Sequence, residues 1–287
     1  MKILVTGAGG QVGSEVAAHL ACHQVTSLAR ADLDLADRDA VEQVVGSILP
    51  HVVVNCAAWT DVDGCESDPF RALAVNALGV RHLAVAGSRV GSHLVHVSTD
   101  YVFAGDKDGA YDEWDVPAPR SVYGRSKLGG EVELARHATS WTLVRTSWIF
   151  GRRGKNFVDT ILGRAREGGP LRVVTDQRGC PTYAPDLAGA LARMAVERRL
   201  GLYHVTNQGD CSWHDLARAA LELAGFDPEM VGTMTTAELD RPAPRPANSV
   251  LANSALAASG LPLLRPWREA LTEKIKTEER VEGGVAG

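Results

Sequence analysis

Lys2-Ile3-Leu4-Val5-Thr6, followed directly by Gly7-Ala8-Gly9-Gly10-Gln11-Val12-Gly13, is the stretch that decides how this chain folds. The short apolar run reads as a buried strand. The segment from Gln11 to Leu20 has helical apolar spacing, so the glycines form a strand-to-helix turn. Glycines spaced G-x-x-G-x-x-G permit a tight turn and close backbone approach. The helix behind them offers unpaired N–H groups and its positive dipole end, which together suit a pyrophosphate. Gly7, Gly10, Gln11, Val12 and Gly13 are therefore candidate dinucleotide-binding residues.

Outward from that turn the same alternation repeats. Gln24-Leu28, His51-Asn55, His93-Ser98 and Trp141-Thr146 read as further buried strands, and Arg38-Leu49, Pro69-Val90 and Tyr123-His137 as amphipathic helices. Strands separated by helices imply parallel βαβ units, hence an α/β, Rossmann-type doubly wound parallel sheet over residues 1–150. Beyond Phe150 the texture turns Gly- and Pro-rich, broken by helical stretches at Asp186-Leu200 and Ser212-Ala224, the latter opened by a Ser212/Asp215 capping arrangement. This half, 151–287, is expected to form a smaller mixed α/β domain, with some later segments returning to the first. Arg241-Pro246 carries three prolines in six residues and is expected to be an extended loop, and the tail 277–287 to fray.

Composition narrows the function. A net charge of −5 gives no electrostatic footprint for nucleic acid. The five cysteines are scattered, with no C-x-x-C pair, so they suggest neither a disulfide framework nor a zinc site and point to a reducing compartment. The apolar run at the N-terminus is too short for a signal core, and no run approaches a membrane span. A cytoplasmic protein with no membrane partner is expected. No carboxylate cluster defines a metal site, and Glu15 reads as an exposed helix residue.

Cofactor choice falls to the end of the second strand, where an acidic residue would hold the adenosine 2′-hydroxyl of NAD. Here the strand ends Leu28-Ala29-Arg30, and a guanidinium can fork onto a 2′-phosphate, so NADPH is expected ahead of NADH. Asp34-Leu35 follows at a spacing suited to the adenine edge. Tyr123-Gly124-Arg125-Ser126-Lys127 then puts a phenol and an ammonium one helical turn apart. A tyrosine with an ordinary pKa of about 10 needs a neighbouring cation to become a useful acid–base group, and Lys127 supplies one. Ser98-Thr99-Asp100 ends the fourth strand, where an open α/β sheet places its ligands. The Thr99 hydroxyl there could bond both a substrate oxygen and the Tyr123 phenol.

With these motifs in order, together with Asn55-Cys56-Ala57-Ala58 and Asn76, the chain resembles the extended short-chain dehydrogenase/reductase superfamily. Within that superfamily it is most similar to the dTDP-4-dehydrorhamnose reductase family. The likeness continues through Arg145-Thr146-Ser147-Trp148, Asn156-Phe157, Asp176-Gln177-Arg178-Gly179-Cys180-Pro181-Thr182, Ser212-Trp213 and Arg245-Pro246-Ala247-Asn248-Ser249. It implies reduction of the C4 ketone of a nucleotide sugar by NAD(P)H, with Tyr123 as proton donor, Lys127 binding the nicotinamide ribose and lowering the Tyr123 pKa, and Thr99 tuning it. It also implies cofactor contacts at Gly10, Gln11, Val12, the Ala57-Ala58-Trp59 backbone, Asn76 and Val97, and sugar-nucleotide contacts at Thr99, Asp100, Trp148 and Asn156. A homodimer is compatible with it. The sequence departs from some relatives at Ala29-Arg30 and at Trp59, where a His can occur.

Related chemistries share the first half. Dehydratases resemble Ser/Thr-Asp-Glu after the fourth strand and use that Glu as the eliminating base, but this chain has Tyr101 there. Epimerases retain tightly bound NAD through turnover. The β regulatory subunit of methionine adenosyltransferase looks like the same family but acts by binding a partner, and such a scaffold has no physical need for an intact Tyr123/Lys127 pair.

Overall fold

The computed structural model describes residues 1–284, with side chains described through residue 277. The first half follows the βα rhythm of the sequence: β1 (Lys2–Thr6), α1 (Gln11–His19), β2 (Gln24–Leu28), α2 (Arg38–Ile48), β3 (Val52–Asn55), α3 (Val62–Ser67), α4 (Pro69–Leu73), a π-helical turn (Ala74–Leu78), α5 (Gly79–Arg89), β4 (His93–Thr99), α6 (Val122–His137) and β5 (Trp141–Thr146). Then come β6 (Ile149–Phe150), α7 (Phe157–Arg166), β7 (Leu171–Val174), β8 (Arg178–Gly179), β9 (Thr182–Tyr183), α8 (Ala184–Glu197), β10 (Gly201–His204), β11 (Cys211–Ser212), α9 (Trp213–Leu223), β12 (Val231–Met234), α10 (Ser254–Ala258) and α11 (Trp267–Gly284).

Six parallel strands in the order β2-β1-β3-β4-β5-β10 make the main sheet, Rossmann-type and doubly wound. The order in which strands are added changes side between β1 and β3, and in open sheets a ligand crevice forms at the strand C-termini of such a switch. Val52, Val53 and Val54 are all fully buried, as befits a strand covered on both faces. On one face Ile3, Val5 and Val54 pack with Val16 of α1 and Leu187 and Leu191 of α8. On the other, Leu4 and Val53 pack with Val41 of α2 and Leu83 of α5. So α8 and β10, although they lie beyond residue 150, belong to this sheet.

A second core joins Ile161 and Leu162 of α7, Leu171 of β7, Leu216 and Leu221 of α9, and Trp267 and Leu271 of α11. Two of these helices were not expected. α7 has the apolar spacing Val158, Ile161, Leu162, Ala165 and an Asn156 N-cap, but glycines on both sides obscured it. In α11 the buried face includes Lys274, which hides the apolar period. The tail expected to fray from 277 belongs to α11 as far as Gly284, and 285–287 lie outside the described residues. The Ser212/Asp215 capping box is present at the start of α9, and Arg241-Pro246 has neither helix nor strand.

Candidate active site

The site is assembled where β1 and β3 end. Gly7 has φ +72°, and a Cβ there would lie 2.6 Å from the Ala57 nitrogen; one on Gly13 would lie 2.3 Å from the Gly7 carbonyl oxygen. Only glycine fits either place. Gly10, the N-cap of α1, provides no side-chain cap, and the first turn has no acidic residue. The free N–H groups and positive end of α1 thus face an open cleft, into which a dinucleotide pyrophosphate fits. Gln11 reaches across the cleft, donating to the Lys155 carbonyl at 3.2 Å. Arg30 is exposed in a tight turn beside Gly9, closed by Asp32, whose carboxylate accepts the Ala29 N–H at 2.8 Å. Asp34 is exposed and caps its own turn, while Leu35 is buried with its carbonyl held 2.9 Å from His82 Nδ1.

The opposite wall is braced from behind. Asn55 Oδ1 accepts the Ala57 N–H at 3.0 Å and the Thr6 hydroxyl at 2.7 Å. The π-helical turn aims Asn76 inward. Its Oδ1 accepts the Trp59 N–H at 2.8 Å, and its Nδ2 donates to the Trp59 carbonyl and Ser126 Oγ, both at 3.0 Å. Ser126 in turn donates to the Tyr123 carbonyl at 2.8 Å. Asn76, expected as a cofactor contact, ties the Trp59 backbone to α6. Such π-turns recur at functional sites, and regular helical apolar spacing gives no sign of them.

Ser121 caps α6 and accepts the Gly124 N–H at 3.0 Å, so Tyr123 and Lys127 occupy its first turns. Gly124 is required, because a Cβ would lie 2.2 Å from the Tyr101 carbonyl oxygen. Lys127 is buried and donates to the Val97 carbonyl at 2.7 Å. Burial pulls its ammonium down to about 8, opposed chiefly by Glu131 one turn on. Glu131 is itself held by Arg145 at 2.6 and 2.9 Å and by the Ser98 hydroxyl at 2.6 Å. Tyr123 is buried edge-on to Tyr101, with ring centroids 5.6 Å apart. Burial raises its phenol above the ordinary tyrosine range, opposed by a hydrogen bond that the Thr99 hydroxyl can give the phenolate once it forms. Lys127, expected to lower the phenol, anchors its ammonium on the Val97 carbonyl and lines the same cleft as the phenol.

These groups line one cleft of about 410 Å³, shared by Gly10, Gln11, Val12, Gly13, Ala58, Val97, Thr99, Asp100, Tyr123, Lys127 and Trp148. Trp148 has φ +47°, an uncommon conformation for a bulky residue. It stacks on Trp213 with centroids 3.6 Å apart and planes 7° from parallel. Trp213 lines the cleft too, and nothing in its local sequence marked it as a site residue. Asn156 does not reach the cleft: it caps α7 by accepting the Asp159 N–H at 3.0 Å and donates to the Gly151 and Gly154 carbonyls. Among the described residues no group of three or more His, Cys, Asp or Glu is placed to hold a metal ion, and no helix is long and apolar enough to cross a membrane.

Comparison with known proteins agrees with this geometry. The model of the RmlD substrate binding domain matches residues 1–280. The spore coat polysaccharide biosynthesis protein SpsK of Bacillus subtilis is 42% identical, over 96% of this chain and 97% of that protein. A dTDP-4-dehydrorhamnose reductase of Mycobacterium tuberculosis is 44% identical, over 94% and 91%. The crystal structure of dTDP-4-dehydrorhamnose reductase from Bacillus anthracis in complex with NADP is 36% identical and superimposes with a TM-score of 0.93, covering 96% of this chain and 99% of that one. The chain therefore belongs to the RmlD substrate binding domain family.

Proposed function

We propose that this chain is an NADPH-dependent reductase that converts the C4 ketone of a dTDP-4-keto-6-deoxyhexose to an alcohol, with dTDP-4-dehydrorhamnose giving dTDP-L-rhamnose or a related deoxysugar. The observation that carries this reading is the convergence of an uncapped helix N-terminus, a buried Tyr123/Lys127 pair and Thr99 on a single cleft. NADPH, when bound, supplies the hydride, and the rest of the chemistry is proton handling. As negative charge develops on the sugar oxygen, Tyr123 donates its proton to it. A phenol kept protonated by burial is loaded for this step, and its raised proton affinity brings it nearer that of an alkoxide. Lys127, charged at neutral pH, offsets the phenolate left behind. The stacked pair Trp148/Trp213 lines the cleft and offers an apolar wall to the sugar nucleotide.

NADPH is favoured over NADH because Arg30 stands beside the glycine loop, where NAD-binding sheets place a carboxylate. The absence of an acidic residue at Tyr101 weighs against sugar-nucleotide elimination. The test is to follow NADPH absorbance with a panel of dTDP-4-keto-6-deoxyhexoses and identify the sugar formed. Oxidation of NADPH with one or more of them supports the reading. No oxidation with any of them, with tight binding to an adenosyltransferase instead, replaces it with a scaffold role.

A further inference from the structure

Thr99 and Asp100 stand side by side at the end of β4, and the hydrogen bond between them fixes the direction in which a proton points. The Thr99 hydroxyl donates to Asp100 Oδ1 at 2.9 Å, and its oxygen accepts the Tyr101 N–H at 3.2 Å. A hydroxyl has a single proton to give. While that proton faces Asp100, Thr99 can only accept from Tyr123 and cannot also donate to a substrate oxygen. Asp100 therefore decides what Thr99 does. Its carboxyl is 2% exposed, borders the cleft, and has one oxygen, Oδ2, buried with no hydrogen-bond partner.

The surroundings of Asp100 favour a carboxyl that gains and loses a proton. Its charge acts on Tyr101 of the same turn, Tyr123 of α6 and Cys180; Arg245 and Asp63 act on Tyr101; and the largest influences on Asp100 itself are burial and hydrogen bonds rather than a cation. Ser249 lies close enough to stabilise the carboxylate, but its hydroxyl points to the Arg178 carbonyl at 3.4 Å. A buried carboxylate takes up a proton readily, and burial pushes Asp100 up to about 6.

We propose that Asp100 and Thr99 form a relay that returns a proton to the Tyr123 phenolate at the end of each turnover. The relay rests on the reductase reading above. A proton on the Asp100 carboxyl turns the pair round, so that Asp100 donates to Thr99 and the Thr99 proton faces the phenol. The Thr99 O–H bond then breaks toward the phenolate oxygen while the Asp100 proton moves to Thr99 Oγ1. Tyr123 and Thr99 end neutral, Asp100 ends as a carboxylate, and no electrons change hands. Water in the cleft reprotonates Asp100 once product has left. Asp100 acts through Thr99 and is a positioning residue for the proton.

Asp100→Asn keeps the shape and removes the acid. With enzyme in excess over substrate, the ratio of the first-turnover rate to the steady-state rate should rise about tenfold or more above the parent's ratio, because Tyr123 starts out protonated whatever Asp100 contributes to binding. Steady-state turnover should fall about tenfold or more, and it should recover as the concentration of a small buffer acid such as acetic acid rises. The pH dependence near 6 should vanish with it. Thr99→Val should share the steady-state loss, and Thr99→Ser should restore it. Equal loss in the first and later turnovers, or a steady-state rate matching the parent at every pH, overturns the relay. A parent protein that oxidises no NADPH with any 4-keto sugar nucleotide overturns the reductase reading, and the relay with it.

Discussion

Tyr123 is held where ionisation is unfavourable, and for a proton donor that is an advantage. Replacing it with Phe removes the proton and little else, since its ring lies against Cys65 and Ala72 and edge-on to Tyr101. Turnover should fall about 10²-fold or more with cofactor affinity nearly unchanged, as read from NADPH oxidation and a binding titration. Lys127 gives the pH signature. It carries its charge below about 8 and loses it above, so kcat/KM should decline through that pH from a plateau below about 7. A profile level to pH 9.5 would remove Lys127 from the chemistry. Tyr123, Lys127 and Thr99 were legible in the sequence because each belongs to a local motif with a defined spacing. Asn76 and Asn156 were read as ligand contacts because both are polar and lie in family motifs. Sequence carries no record of which partner a buried amide will choose, and here both bond backbone groups and one neighbouring side chain each.

The same distinction holds for whole elements. β1 and β5 match their sequence boundaries, because a covered strand has a run of apolar residues and definite ends; β2 matches too, but it was read as buried and is an edge strand with no buried residue. Pro69-Val90 reads as one helix and is instead interrupted by the turn Ala74–Leu78, an irregularity imposed by what Asn76 must reach across space. Asn76→Leu should therefore do two things at once. It leaves the Trp59 N–H without a partner and its carbonyl with only the Cys65 thiol at 3.8 Å, costing about 1–3 kcal/mol of stability. It also frees the Ala57-Trp59 wall, so NADPH affinity should drop. Thermal unfolding and a cofactor titration would report both, and a variant with parental values in each would mean that the turn is held by other contacts.

At the scale of the molecule the two cores are joined by charge as well as by chain. Asp63 at the start of α3 is bound by Arg245 at 2.6 and 2.8 Å and by Arg241 at 3.2 Å, which fastens the proline-rich loop against the sheet lobe beside Tyr101. The Arg245 guanidinium holds the Asp63 carboxyl down at about 2, below the ordinary value of 3.8. A depressed carboxylate stabilises the fold fully above its unfolded pKa and ceases to do so as pH falls through the folded one. Asp63→Asn should thus cost about 1–2 kcal/mol at pH 7, with the gap to the parent narrowing from pH 5 toward pH 3 in denaturation curves. A gap independent of pH would show that shape, not charge, fastens the loop. The path of the backbone has a further result. From β5 it passes to α7, returns with α8 and β10, leaves with α9, comes back with α10 and departs again into α11. A protein laced in this way survives a nick: a protease that severs the exposed prolines frees neither piece, because every other stitch still binds the halves together.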